Sequence, residues 1–230
     1  MSNRAYLRVW TRDFSATTLI PQFARFLATV PLPASNDSKT TIFTSLVVQP
    51  VDPSEAPLAE WDLRDQGYGP AEIAALATQH INPDSAYIAT ADWNLWYFDI
   101  ETLTWRNAPE SLALICNGPE YDGGIAASEG HFNADLGFEH FFTGHAGLLA
   151  PGAASNPFDS SDHEIEHTFR QWMSVPANLK EYHAKTRENI QQLFNWMDSL
   201  ERALPIERAE LWSEGEENFE ARLDAILAHP

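Results

Sequence analysis

Residues 5–12, AYLRVWTR, alternate apolar and polar side chains and are rich in β-formers, which predicts a strand. Residues 18–30 change period: Phe23, Phe26, Leu27 and Val30 fall on one helical face, and Pro21 is early enough for a first helical turn. A second strand is expected over 40–51, then a loop rich in proline and acids. A short helix follows over 69–80, with Pro70 at its first position, where a missing N–H costs nothing. Residues 86–99 and 103–109 read as strands joined by a turn, 111–118 as a further strand, and 131–138 as another. The last alternates, with Phe132, Ala134, Leu136 and Phe138 on one side and His131, Asn133 and Asp135 on the other. After a stretch rich in Gly, Ala, Ser and Pro, the period is helical over 162–173, 178–204 and 206–229, the last interrupted at Gly215.

The order β-α-β-α-β-β-β-β followed by helices predicts an α+β fold. Its sheet would be mixed or antiparallel with helices on one face, in a ferredoxin-like arrangement, followed by a C-terminal helical extension. The expected division is a sheet domain at 1–146, a linker or long loop at 147–161, and a helical extension at 162–230 packed on the sheet. No solenoid period appears.

Composition supports a buried core: of 230 residues, 44% are apolar and 12% aromatic. No run approaches the roughly 18 apolar residues of a membrane span, and the N-terminus carries no secretory h-region. Cys116 is the lone cysteine, so no internal disulfide forms; with the missing leader this points to the cytoplasm. Thirty-three acids against fourteen bases give a net charge of −19. Such a chain repels nucleic acid and anionic membranes and attracts metal ions or basic proteins. Residues 107–169 hold no Lys or Arg and five of the eight His.

His163-Glu164-Ile165-Glu166-His167 spells H-E-x-x-H, the zinc metalloprotease signature, over five residues. The two imidazoles have the right spacing for one zinc ion, and Glu188 is the candidate third ligand, but the helix geometry opposes the reading. At about 100° per residue, Ile165, Phe169, Trp172 and Met173 define the buried face, which turns His163 and His167 toward solvent. Glu188 lies about 160° from Ile190 on its own helix. Ser161 and Glu164 form a capping box that accounts for the glutamate without a metal.

A looser metal set combines His131, Asp135 and His140, with His145 nearby; imidazole and carboxylate together suit zinc, manganese or iron. Trp93, Trp96, Tyr97 and Trp105 cluster on neighbouring strands as a candidate recognition surface. No nucleophile elbow and no phosphate-binding glycine loop is present. These features favour a non-catalytic protein that binds a basic protein partner, similar to toxin-neutralising immunity or antidote proteins in charge alone. A second reading is a metal-dependent hydrolase using the His/Asp set, and a third is a subunit of a larger assembly whose function resides elsewhere. No organic cofactor is expected, and a divalent metal belongs only to the second reading.

Overall fold

The computed structural model describes residues 3–31, 42–52, 54–144 and 160–228, the side chains of 160–166 excepted. The alternating segments pair as expected: β1 (Arg4–Thr11), β2 (Phe43–Gln49), β3 (Ala59–Asp62), β4 (Ala86–Asp99), β5 (Thr104–Asn117), β6 (Phe132–Phe138) and β7 (Ile206–Ser213) form one sheet in the order β3-β2-β4-β5-β6-β1-β7. Every neighbouring pair is antiparallel. The class is therefore α+β, but seven strands exceed the ferredoxin-like core expected, and that likeness is not established.

The helices are α1 (Leu19–Leu27), α2 (Pro70–Thr78), the single turns α3 (Ala126–Glu129) and α4 (His140–Thr143), α5 (Ser160–Met173), α6 (Pro176–Ala203) and α7 (Phe219–Ala228). None of the described helices is long and apolar enough to cross a membrane. Most pack on one face of the sheet. Phe23 of α1 meets Tyr87, Phe26 meets Phe132, and Trp196 of α6 meets Trp93 edge-on at 5.9 Å. Phe142 of α4 lies between Trp93 and Phe219 of α7. One hydrophobic cluster thus draws on the sheet and on α6, β7 and α7 together. The segment expected as a linker lies outside the described residues as far as 159.

Three elements depart from the sequence reading. β3 forms inside the stretch expected to be a loop, as a short edge. The strands expected at 103–109 and 111–118 are one continuous β5, which runs through Pro109. Pro109 is tolerated because β6 pairs with β5 only at Ala113–Cys116, so beyond it the missing N–H faces no strand. The helix expected over 206–229 is β7 followed by α7. IERAELWS is full of helix formers, yet pairing with β1 decides its state, since propensity is a weak prior against tertiary contacts.

The β4–β5 hairpin is longer than the rest of the sheet. β2 covers β4 only as far as Asp92, whose N–H donates to Ile42, so the edge of β4 from Trp93 onward lacks a strand neighbour. Asn189 of α6, 1% exposed, takes the place of one. Its Oδ1 accepts the Trp96 N–H at 2.8 Å, and its Nδ2 donates to the Trp96 carbonyl at 2.7 Å and to the Phe141 carbonyl at 2.8 Å. C-terminal to Asn189, α6 lies on the core face through Leu193 and Trp196. N-terminal to it, Lys185 sits 3.7 Å over the Trp96 ring, and Tyr182 joins Phe98, Phe169 and Met173 in a second apolar cluster. By strand alternation Trp96 and Phe98 point away from the core, so α6 crosses the sheet edge at Asn189.

Asn189→Ala should lower stability by about 3 kcal/mol, because the buried Phe141 carbonyl and the part-buried N–H and carbonyl of Trp96 lose their partner. Thermal unfolding should show the melting temperature falling by roughly 6–12 °C. A shift within the error of wild type would mean that water or a neighbour replaces the amide.

Candidate functional site

The face of the sheet opposite the core is the part of the molecule that packing does not explain. Two straight rows cross all seven strands there. One runs Glu60, Val47, Ile88, Ile115, Asn133, Arg8, Glu210. Beside it runs Asp62, Ser45, Thr90, Ala113, Asp135, Tyr6, Trp212. Glu60 and Asp62 are exposed and the others are half-buried, whereas their neighbours along the strands, such as Leu46, Ala89, Leu114, Ala134 and Leu7, are buried. Among the described residues, helices touch this face only at its margins. α3 does so through the Arg8–Glu129 ion pair and the Trp10 indole, which donates to the Ala127 carbonyl; α5 and the start of α6 do so at the hairpin tip.

The two halves of the face differ in chemistry. On β6, β1 and β7 each cation is already matched. Arg4 grips Asp135 through Nε and Nη2 at 2.8–3.0 Å and reaches the Phe138 ring. Arg8 lies 4.6 Å over Trp212, and Arg208 pairs with Glu210 at 2.9 Å while covering Trp10 at 4.3 Å. Tyr6 stacks on Trp212 at 4.5 Å and donates its hydroxyl to Glu214. Burial, and then the Glu214 contact, hold the Tyr6 hydroxyl above its ordinary pKa. On β2, β4 and β5 the floor is Val47, Ile88, Ile115 and Ala113, and it is bounded by acids. Asp92, next along β4, and Glu60 have no hydrogen-bond or ion-pair partner for their carboxylates among the described residues.

The metal candidates do not converge. His131 and Asp135 are four positions apart along a strand, roughly 13 Å, far beyond a shared first coordination sphere. Asp135 is held by Arg4. The His131 ring stacks on Phe14 at 4.1 Å, and its Nδ1 accepts the Thr11 N–H at 3.0 Å. His140 stacks on Phe138. Among the described residues no group of three or more His, Cys, Asp or Glu side chains is placed to hold a metal ion. His145 and the His163 side chain lie outside the described residues. His167 is exposed on α5, and among the described side chains of that helix Phe169 and Met173 are buried and Trp172 is half-buried. Glu188 is exposed and pairs with Lys185 at 3.0 Å.

The aromatic candidates do not form one surface. Trp93 is 0% exposed in the core. Tyr97 packs against that same core, Trp96 lies under Lys185, and Trp105 leans on Phe98 and Tyr182. Cys116 is buried, and burial raises its thiol well above the ordinary pKa, which removes it as a nucleophile. Sequence reasoning missed Ile88, Ile115 and Val47. Their signal was the continuous apolar runs IFTSLVV, AYIATA and LALIC, where alternation weakens because both faces are apolar.

In comparisons with known proteins, no family model, no curated protein and no solved structure matches this chain.

His131 gives a pH prediction. Burial lowers its pKa below the ordinary 6.5, against a smaller opposing effect of Glu207. The unfolded chain therefore binds the proton more readily than the folded one. Stability should be full above about pH 6.5 and decline as pH falls from there toward the lower folded-state pKa. His131→Asn keeps an acceptor for Thr11 but cannot titrate. Urea unfolding between pH 7.5 and 5 should show a shallower decline for that variant, and parallel curves would remove His131 as the cause.

Proposed function

We propose that the protein is a non-catalytic binding protein whose open sheet face receives a basic protein partner in the cytoplasm. The observation that carries the reading is the apolar floor of Val47, Ile88, Ile115 and Ala113 bordered by the unpartnered carboxylates of Asp92 and Glu60. A protein surface of this kind has the composition of an interface centre, apolar in the middle and charged at the rim. The rim has one free sign. The arginines on the neighbouring strands are spent on Asp135, Glu129 and Glu210, so a partner meets open carboxylates and no open guanidinium there.

Charge also argues about who the partner is. At −19, a second copy laid on this face would set acid against acid, whereas a basic protein gains both steering and contact energy. The buried, unpaired Cys116 suits a reducing compartment. The hydrolase reading has no comparable support, because its proposed ligands stand apart on separate contacts.

The test uses the immobilised chain against basic proteins recovered from native extract, with dissociation constants measured for each at low and high salt. Ile88→Lys and Ile115→Lys should each weaken the true partner by about tenfold or more while leaving the melting temperature within a few degrees. Asp92→Lys should slow association and flatten the salt dependence. Binding that ignores all three substitutions would remove this face from the interaction.

A further inference from the structure

The two edges of the sheet are unlike. β3 is four residues long and ends the sheet with the exposed acids Glu60 and Asp62. β7 is eight residues long. The Glu214 N–H donates to the Arg4 carbonyl at 3.0 Å, which sets even-numbered residues of this stretch toward β1. The N–H and C=O groups of Ala209, Leu211 and Ser213 therefore point outward, and no described residue accepts from or donates to them. A register shift between Trp10 and Thr11 leaves Glu207 as a bulge, so the regular edge runs from Arg208 to Ser213.

We infer that β7 pairs with β7 of a second copy, antiparallel and centred on Leu211, joining two sheets into one. This goes beyond the partner reading and uses a different surface. Ala209 then faces Ser213, Leu211 faces Leu211, and each pair exchanges two hydrogen bonds, so every outward group on the regular edge is used. On the open side of the sheet Arg208 falls opposite Glu214 of the second copy, twice by symmetry, and Glu210 falls opposite Trp212. The guanidinium paired with Glu210 and the carboxylate that accepts the Tyr6 hydroxyl within each chain thus also meet across the seam. The other registers that use the same outward groups fail. Centring on Glu210 opposes the two Glu210 carboxylates. Centring on Trp212 sets Glu210 against Glu214. Centring on Ala209 runs into the bulge at Glu207. One register is thus complementary in both backbone and charge, which is the requirement of a two-fold interface. The charges that guard an edge strand against indiscriminate pairing here select one alignment.

The experiment is sedimentation analysis of the full chain over a concentration series at about 0.15 M salt, where repulsion between two acidic bodies is screened beyond about 8 Å. Wild type should sediment at twice the chain mass. Ala209→Pro removes one outward N–H at an exposed position, without taking a bond from β1, and should give the monomer. Arg208→Glu and Glu214→Arg should each weaken association by about tenfold or more, and the double exchange R208E/E214R should restore it. A wild-type monomer throughout the series, or a dimer indifferent to the single reversals, overturns the inference. If Ala209→Pro does not fold, the reversal and exchange variants decide alone. Binding of a basic partner is then measured on whichever variant is monomeric and folded, so loss of the dimer and loss of the open-face interaction register separately.

Discussion

The Asn189 amide is the contact on which the architecture turns. A long hairpin outruns its neighbours, and a bare strand edge inside a protein leaves backbone groups without partners. One carboxamide offers an acceptor and a donor in the spacing of a peptide group, so it can stand in for a strand at Trp96. Its second N–H takes the Phe141 carbonyl and ties α4 to the same point. Around this knot α6 changes sides. Its later turns supply Trp196 to the core, and its earlier turns supply Tyr182 to the cluster at the hairpin tip. A larger apolar side chain would fill the space and leave the three backbone groups unsatisfied, which is why a polar residue sits in so dry a place.

The asymmetry of the two sheet faces follows from the same economy of partners. Among the described residues most helices form one layer over one face, and α3, α5 and the start of α6 reach the other only at its margins. On β6, β1 and β7 it is finished internally by arginines laid over aromatic rings and clamped by carboxylates. On β2, β4 and β5 it is left apolar and short of cations. That unfinished half is what supports a binding role. Its small, β-branched side chains add little relief of their own, so affinity there would come from burying a broad area and from charges at the rim.

Much of the fold was legible because period and turn chemistry are local. Pro70 marks the start of α2 at its observed first residue, and the helical period over 178–204 matches α6 closely. The failures share a cause. β3, with Ala59 and Trp61 turned to the core, is too short to announce itself, and it exists because β2 has an edge to offer. β7 has the letters of a helix and becomes a strand because β1 lacks a neighbour on that side. Site residues were harder still. His131, Asp135 and His140 looked like ligands when only their spacing was considered. Arg4, Thr11 and Phe14, which claim Asp135 and His131, come from β1 and the loop after it, whereas Phe138, which stacks on His140, ends β6 two residues before it. Trp93 was visible as an aromatic but not as a buried one, since its cover is a tryptophan about a hundred residues away in sequence.

The placement of β1 has a consequence for how the protein is made. This strand lies between β6 and β7, which are synthesised long after it. It cannot acquire either neighbour until β2 to β5 have emerged, and the second follows only after α5 and α6. For all that time AYLRVW is an apolar strand with both edges bare, the form of segment that chaperones hold and that other nascent chains capture. Early helix formation in α1, seven residues further on, offers it only one covered face. The rate at which β7 closes the sheet, more than the strength of any contact within it, would then govern how much of the protein reaches the native state.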